Sequence, residues 1–217
     1  QARLANEPVS GSDCVMNFTK HFFRWVCIAS GLCSGVVSAA SLSVKVMDEK
    51  GGMLEHVALA LVPLSGPKPT LRNDHAEIVQ AAKTFMPAMS AVQTGTAIHF
   101  PNRDTVRHHV YSFSKAKSFE LKLYIGTPAQ PVVFDTPGIV VLGCNIHDQM
   151  VAYVMVADTP WLAVTDAQGQ GRMADLPEGE YELQYWHSRW VGRDEIAKRR
   201  IRLSGAQSET LIIGERP

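Results

Sequence analysis

The sequence predicts an all-β protein that contains two small β-sandwiches. Its apolar residues fall into short runs, many of which alternate with polar residues as in a half-buried strand. Segments rich in Gly, Pro, Asn and Asp separate these runs at regular intervals. The composition, 46% hydrophobic and 19% charged over 217 residues, is typical of a globular protein with one large or two small domains. Short strands joined by turns indicate a sandwich or a barrel.

Residues 1–40 are predicted to be an upstream extension followed by a cleaved signal peptide. Lys20 and Arg24 precede an apolar run over residues 25–37, which ends in small residues, and cleavage is expected near Ala40. The run is shorter than the roughly 20 apolar residues that span a bilayer. We therefore expect a periplasmic protein with no membrane span after signal cleavage.

The net charge and the cysteine positions argue against some kinds of partner and bond. A formal net charge of +0 provides no basic surface for nucleic acid, so no nucleic-acid partner is expected. The most basic stretch, residues 198–203, is interpreted as the solvent-facing side of a strand. Removal of residues 1–40 would leave Cys144 as the only cysteine, so the mature chain could form no internal disulfide. We expect a monomer.

Residues 41–74 are predicted to form a first hairpin and a linker. The runs "SLSVKVMDEKGG" and "HVALALVPL" both alternate, and the Gly-Gly pair between them is typical of a turn. The following "GPKPTLRND" is a loop by its Gly and Pro content. The next segment, "HAEIVQAAKTFMPAM", permits either a helix with Asp74 as N-cap or a strand, and the strand is preferred.

Residues 75–158 are predicted to form one domain, and three motifs within it occur in a specific order. They are "FMPAMSAVQTGTAIHFPNRD", which closes on F-x-N-x-D, then "HHVYSFS", and then "TPGIVVLGCNIHDQM". Together they resemble a cupredoxin, the small Greek-key β-sandwich of plastocyanin and its relatives. The resemblance implies a mononuclear type 1 copper site and a role in electron transfer. The copper ligands that it implies are His108, Cys144, His147 and Met150.

The chemistry of these side chains independently favours copper. Soft sulfur suits Cu(I) and imidazole tolerates Cu(II), so two histidines and one thiolate can bind an ion that alternates between the two states. Cys144 ends a strand and His147 follows across a turn, so both side chains can converge on one ion. The simpler interpretation is a buried cysteine, structural histidines and a core methionine, which would have to coincide in one short region.

The sequence leaves alternatives for two of the four copper ligands. His108 and His109 face opposite sides of their strand, so only one of them can be a ligand. His108 is preferred because it stands at the family's spacing from the following valine, and His109 remains the alternative. Met150 is expected to be the axial ligand, although Asp148 or Gln149 could supply an oxygen instead.

Residues 159–217 resemble a different fold. The segment "VTDAQGQGRMADLPEGEYELQYWH" resembles a carboxypeptidase regulatory-like, or transthyretin-like, Ig-like β-sandwich, with Gly169 and Gly179 at turns that need positive φ. Residues 41–65 resemble the opening hairpin of that fold. We hypothesise that the copper domain is inserted between these two parts, and the alternative is a separate hairpin and tail. The aromatic stretch Tyr185–Trp190 fits a docking surface, a cover over the copper, or packing between the sandwiches.

The sequence thus predicts a periplasmic electron carrier that exchanges electrons with a periplasmic redox protein, with His147 as the expected exit. The alternative is a module that carries copper, or binds a partner, without redox turnover. The sequence contains no paired acid and base and no nucleophile with a base at motif spacing, so an enzyme is not expected. Bacterial proteins of this two-part layout are often labelled methylamine utilization proteins, which implies an amine-oxidising chain as the source of electrons.

Overall fold

The computed structural model describes residues 39–71, 74–190 and 195–214, and they form strands joined by turns and loops. A short 3₁₀-helix spans Ser188–Trp190. The predicted all-β fold is confirmed. In chain order, the strands are β1 (Ala40–Asp48), β2 (Ala58–Pro63), β3 (His75–Glu77), β4 (Val79–Ala81), β5 (Thr84–Met86), β6 (Met89–Gln93), β7 (Thr96–His99), β8 (His108–Ser114), β9 (Lys117–Tyr124), β10 (Val132–Phe134), β11 (Gly138–Gly143), β12 (Val151–Ala157), β13 (Leu162–Val164), β14 (Gln170–Leu176), β15 (Gly179–Trp186), β16 (Ala197–Leu203) and β17 (Ala206–Ile213).

The predicted signal peptide falls almost wholly on residues 1–38, which lie outside the described residues, so it stays a prediction. In the part of the chain that the structure describes, no helix is long and apolar enough to cross a membrane.

The first sandwich consists of two sheets with the strand orders β14-β1-β17 and β13-β2-β15-β16. Strand β1 runs antiparallel to β14 and parallel to β17. Leu42, Val44 and Val46 of β1 are buried on one face, which explains the alternating sequence of this strand. They share one apolar core with Leu59 and Leu61 of β2. The two sheets therefore pack face to face.

The predicted hairpin between β1 and β2 is wrong. Strand β1 is already paired on both edges, with β14 and β17, so β2 lies in the opposite sheet. The turn after β1 does form, because the Asp48 carboxylate accepts hydrogen bonds from the N–H groups of Lys50 (2.9 Å) and Gly52 (2.7 Å). Strands from before residue 64 and after residue 161 thus complete the same two sheets.

The second sandwich is formed by the residues between those two parts. Its main sheet has the order β6-β12-β11-β8-β9, and it is accompanied by the sheet β10-β7-β3 and the hairpin β4-β5. The segment after Asp74 forms β3, β4 and β5, so the preferred strand interpretation is confirmed. The largest buried side chains of this second core include Ile78, Ile98, Phe100, Phe134 and Leu142.

Strand β12 of the main sheet is buried on both faces in its second half. Ala152, Val154 and Val156 belong to the core of the second sandwich, whereas Met155 and Ala157 belong to the core of the first. The first sandwich therefore covers the outer face of this sheet around Met155 and Ala157, whereas Val151, at the other end of β12, is 37% exposed. A strand that is buried on both sides reads as a continuous apolar run, which is what the sequence "VAYVMVA" shows.

The aromatic stretch Tyr185–Trp190 contributes to the same packing. The rings of Trp186 and Tyr153, which belong to different sheets, have centroids 5.2 Å apart. Trp186 and Trp190 are only 1% and 3% exposed. The two tryptophans of this stretch therefore pack inside the protein, which favours packing between the sandwiches over an exposed aromatic docking surface.

The β4-β5 turn has a backbone conformation that is unusual for its residues. Ala82 and Lys83 have φ angles of 51° and 55°, in the left-handed region that favours Gly. Their N–H groups donate hydrogen bonds to the two carboxylate oxygens of Asp104, at 2.7 Å and 2.9 Å. The turn is thus held against Asp104, four residues before His108.

Replacing Lys83 by Gly should stabilise the protein by about 0.5–1 kcal/mol, because Gly adopts positive φ without the steric cost of a Cβ atom. Denaturant unfolding of wild type and Lys83→Gly measures this difference. Lys115→Gly is the matched control, since Lys115 is exposed in the two-residue β8-β9 turn but has no positive φ. The control should lose stability, and a gain of the same size in both variants would contradict the explanation.

Candidate metal centre

Three of the four predicted copper ligands lie together at the ends of neighbouring strands. His108 is the first residue of β8, Cys144 directly follows β11, and His147 lies in the loop between β11 and β12. Strands β8 and β11 are antiparallel neighbours, with Gly143 opposite Tyr111, so the start of one lies beside the end of the other. One ring nitrogen of each histidine and the Cys144 Sγ atom all lie within 4.8 Å of one another.

These three side chains form a mostly buried group. The Sγ atom of Cys144 is 3.9 Å from Nδ1 of His147, and the rings of His108 and His147 have centroids 5.0 Å apart. A ligand separation near 4 Å is what bonds of about 2.0–2.3 Å to a common ion give at a roughly trigonal angle. His108 and Cys144 are buried, whereas His147 is partly exposed. The group could therefore hold one metal ion, with His147 on the solvent side.

The hydrogen bonding of His108 leaves one ring nitrogen for a metal. Its Nε2 atom is 2.7 Å from Oδ2 of Asp104, whereas its buried Nδ1 atom has no hydrogen-bond partner among the described residues. An unpaired buried polar atom costs about 1–3 kcal/mol. A proton on Nε2 that bonds the carboxylate leaves the Nδ1 lone pair available. The residues present thus fit a bound metal ion.

His109 has a separate environment on the other side of β8. Its Nε2 atom is 2.8 Å from Oε1 of Glu120 on β9, and its ring packs on Tyr111 with centroids 5.5 Å apart. The Nδ1 atom of His109 also lacks a hydrogen-bond partner within the described part of the chain. His109 does not belong to the three-residue group, which contains His108 instead.

Met150, the predicted axial ligand, is fully buried in the apolar cluster that also contains Cys144. Its N–H group donates a hydrogen bond to the carbonyl oxygen of His147 at 2.9 Å, which closes the turn before β12. The alternative oxygen donors, Asp148 and Gln149, are exposed in that turn. Their exposure favours the thioether over an oxygen as the neighbour of the buried site, and the axial role of Met150 stays a prediction.

Asp104 is a member of the site that sequence reasoning missed. Its carboxylate bonds the Nε2 atom of His108 and accepts the two N–H groups of the β4-β5 turn. The N–H of Lys83, then the His108 imidazole, hold the pKa of Asp104 below its usual value. The signal was present in the sequence, because the F-x-N-x-D motif places Asp104 four residues before His108.

Tyr124, at the end of β9, lies opposite His108 in the β8-β9 pairing, and sequence reasoning does not single it out. Its hydroxyl donates a hydrogen bond to the carbonyl oxygen of Phe100 at 2.6 Å and accepts one from Nε2 of Gln80 at 2.5 Å. Burial, and then the negative charge of Cys144, raise the pKa of Tyr124 to about 12, against the opposing hydrogen bond from Gln80. No local motif marks Tyr124, since both of its partners lie far away in the sequence.

Comparisons with known proteins give partial structural matches. No family model matches the chain, and neither does any curated protein. A Cu-containing nitrite reductase from Thermus scotoductus matches 43% of this chain and 25% of its own chain, with 20% identity and a TM-score of 0.36. A purple cupredoxin from Nitrosopumilus maritimus matches 38% of this chain and 99% of its own, with 22% identity and a TM-score of 0.34. An amicyanin variant in the Cu(I) form matches 37% and 79%, with 18% identity and a TM-score of 0.33.

The chain therefore spans only a quarter of the nitrite reductase, and each match leaves more than half of this chain uncovered. The fold and the site together define an all-β protein with a mostly buried His-Cys-His group that could hold a metal ion.

Replacing Tyr124 by Phe should remove the phenol that titrates near pH 12. Because its folded pKa lies above the value of about 10 for an unfolded tyrosine, Tyr124 stabilises the fold below that pH, and this contribution is lost as the pH rises toward 12. Phenolate absorbance and denaturant unfolding at several alkaline pH values measure both effects.

Tyr181→Phe is the control for this experiment, because it also deletes a buried hydroxyl, one that donates a hydrogen bond to the carbonyl oxygen of Pro177. The Tyr181→Phe variant should keep the phenolate absorbance change of Tyr124 near pH 12. Both variants should lose about 0.5–1.5 kcal/mol of stability at neutral pH through the missing hydrogen bond. Because burial also raises the pKa values of Tyr153 and Tyr181, the test is the difference from wild type: a Tyr124→Phe titration with the same phenolate absorbance near pH 12 as wild type would refute the assignment.

Proposed function

We propose that this protein binds a single copper ion in a type 1 site and carries electrons in the periplasm. The observation that carries the proposal is the buried Nδ1 atom of His108, which lacks a hydrogen-bond partner among the described residues while its ring adjoins Cys144 and His147. A buried nitrogen that is held available beside a thiol and a second imidazole is a costly arrangement unless a metal completes it.

The donor set supports copper in particular. Two imidazole nitrogens and one thiolate sulfur, with the Met150 thioether as the proposed axial ligand, combine the ligand types that suit both Cu(II) and Cu(I). Bound copper would supply one-electron redox chemistry. The role of the chain is to hold His108, Cys144 and His147 in one arrangement for both oxidation states.

The surroundings of the ligands support a rigid site. His108 and Cys144 stand at the ends of β8 and β11, which belong to a sheet with apolar cores on its two faces. Close-packed cores resist displacement of the strands that they contain. Little rearrangement of the ligands would then accompany the gain or loss of one electron, which favours electron transfer over catalysis.

His147 is the proposed route by which electrons leave or enter. It is partly exposed, and its neighbour Ile146 is 47% exposed. An imidazole edge beside an exposed apolar side chain suits brief contact with a periplasmic redox protein, because a small interface permits rapid release. The periplasmic location rests on the predicted signal peptide.

The copper-loaded protein should absorb visible light strongly through thiolate-to-copper charge transfer, and Cys144→Ser should lose this absorption because serine supplies no thiolate. Visible and paramagnetic resonance spectra of the two proteins test the proposal, and matching spectra would contradict it.

Cycles with a soluble one-electron reductant and oxidant, in the presence of a copper chelator, test the role in electron transfer. An electron carrier should lose and regain its colour without releasing copper. Release of copper to the chelator on reduction would favour a copper-carrying module instead.

His108→Ala should abolish the copper spectrum, whereas His109→Ala should retain it, because His108 alone of the two belongs to the His-Cys-His group. The two variants are matched controls for each other, since each deletes a buried imidazole bonded to a carboxylate. Unfolding of both metal-free proteins verifies that they fold. Loss of the spectrum in His109→Ala alone would show that the site uses the other histidine.

A further inference from the structure

The carboxylate of Asp104 is more firmly fixed than a surface carboxylate would be. The Oδ1 atom accepts the N–H of Ala82 at 2.7 Å, and the Oδ2 atom accepts the N–H of Lys83 at 2.9 Å. The Oδ2 atom also lies 2.7 Å from Nε2 of His108. The side chain of Asp104 is 17% exposed and that of His108 is fully buried. Both oxygens are therefore engaged, and one of them faces a buried imidazole.

The backbone around Asp104 is fixed as well. The side-chain oxygen of Asn102 accepts the N–H of Asp104 at 3.0 Å. The amide nitrogen of Asn102 donates to the carbonyl oxygens of Val106 (2.9 Å) and Tyr124 (2.8 Å). The loop from Asn102 to His108 thus has its own internal hydrogen bonds and a tie to the end of β9. Asp104 is therefore held in place by hydrogen bonds from the protein itself.

We propose that Asp104 is a positioning residue of the metal centre, which fixes His108 in the Nε2–H tautomer and makes its Nδ1 atom a stronger donor toward Cu(II) than toward Cu(I). The proposal rests on the copper function argued above. A carboxylate that accepts the outer N–H of a ligating histidine sets the orientation of the ring and raises its basicity. The negative charge also stabilises the more highly charged ion more, since Coulomb attraction grows with ionic charge.

The backbone of the β4-β5 turn supports Asp104, which in turn supports His108. Ala82 and Lys83 keep positive φ angles that cost energy in residues with a Cβ atom, and their N–H groups point at Asp104. Backbone strain of this kind persists where many surrounding contacts hold the residue in the strained conformation, as at functional sites. The strained turn, the carboxylate and the imidazole therefore form one continuous support for the Nδ1 atom.

The test compares wild type with Asp104→Asn and Asp104→Ala. Asn has the same size and retains one oxygen for the His108 N–H, but it removes the charge, whereas Ala removes the acceptor as well. Asp135→Asn is the control, because Asp135 is an exposed carboxylate paired with Lys117. Competition with chelators measures the Cu(II) and Cu(I) affinities, and the reduction potential is measured separately.

We expect about a 10–100-fold loss of Cu(II) affinity in Asp104→Ala, a smaller loss in Asp104→Asn, and a smaller loss of Cu(I) affinity in both. The reduction potential should rise in the same order, and Asp135→Asn should match wild type. A residue with a merely structural role would lower both affinities equally and leave the potential unchanged, and this outcome would overturn the proposal.

A measurement on the metal-free protein separates this proposal from the copper function. Long-range ¹H–¹⁵N spectra of the imidazoles report the tautomer, and His108 of wild type should carry its proton on Nε2. Asp104→Ala should shift the population toward Nδ1–H, and if that variant fails to fold, the wild-type tautomer still decides. A proton on Nδ1 in wild type would sink the proposal, whereas a correct tautomer with no copper spectrum would show that only the copper function had failed.

Discussion

The packing of β11 and β12 between two apolar cores is the constraint on which the metal centre depends. Ile139 of β11 and Met155 of β12 face the first core, whereas Leu142 and Val154 of the same strands face the second. Neither strand can slide or bend without opening a close-packed core. Both cores therefore hold β11, the strand that Cys144 directly follows.

Structural features that depend on a local repeat in the sequence are predicted correctly, whereas contacts between residues far apart in the sequence are not. Alternation correctly indicated strands and the buried face of β1, but it carries no information about which strand lies alongside, so β2 was wrongly paired with β1. The period of two also separated His108 from His109. The support of His108 by Asp104 depends on the fold of a distant turn, at Ala82 and Lys83, whose backbone conformation no residue preference indicates.

The two neighbouring histidines of β8 illustrate how one strand can create two unequal sites. Each imidazole meets a carboxylate, but the Glu120 side chain is 52% exposed and that of Asp104 is 17% exposed. Water screens the pair that includes Glu120, whereas two backbone N–H groups fix Asp104 in place. The shielded carboxylate is the one that adjoins the His-Cys-His group. Strand alternation thus separates a structural histidine from a candidate ligand.

The parallel pairing of β1 with β17 has a consequence for the order of folding. It brings Ser41 beside Ala206 and so closes a loop that contains the whole second sandwich. Closing a long loop costs more entropy than forming a short hairpin such as β8-β9, so neighbours in sequence can join first. The region around Cys144 can then gain its local structure before β1 pairs with β17. The first sandwich becomes complete only when nearly all of the described chain is available.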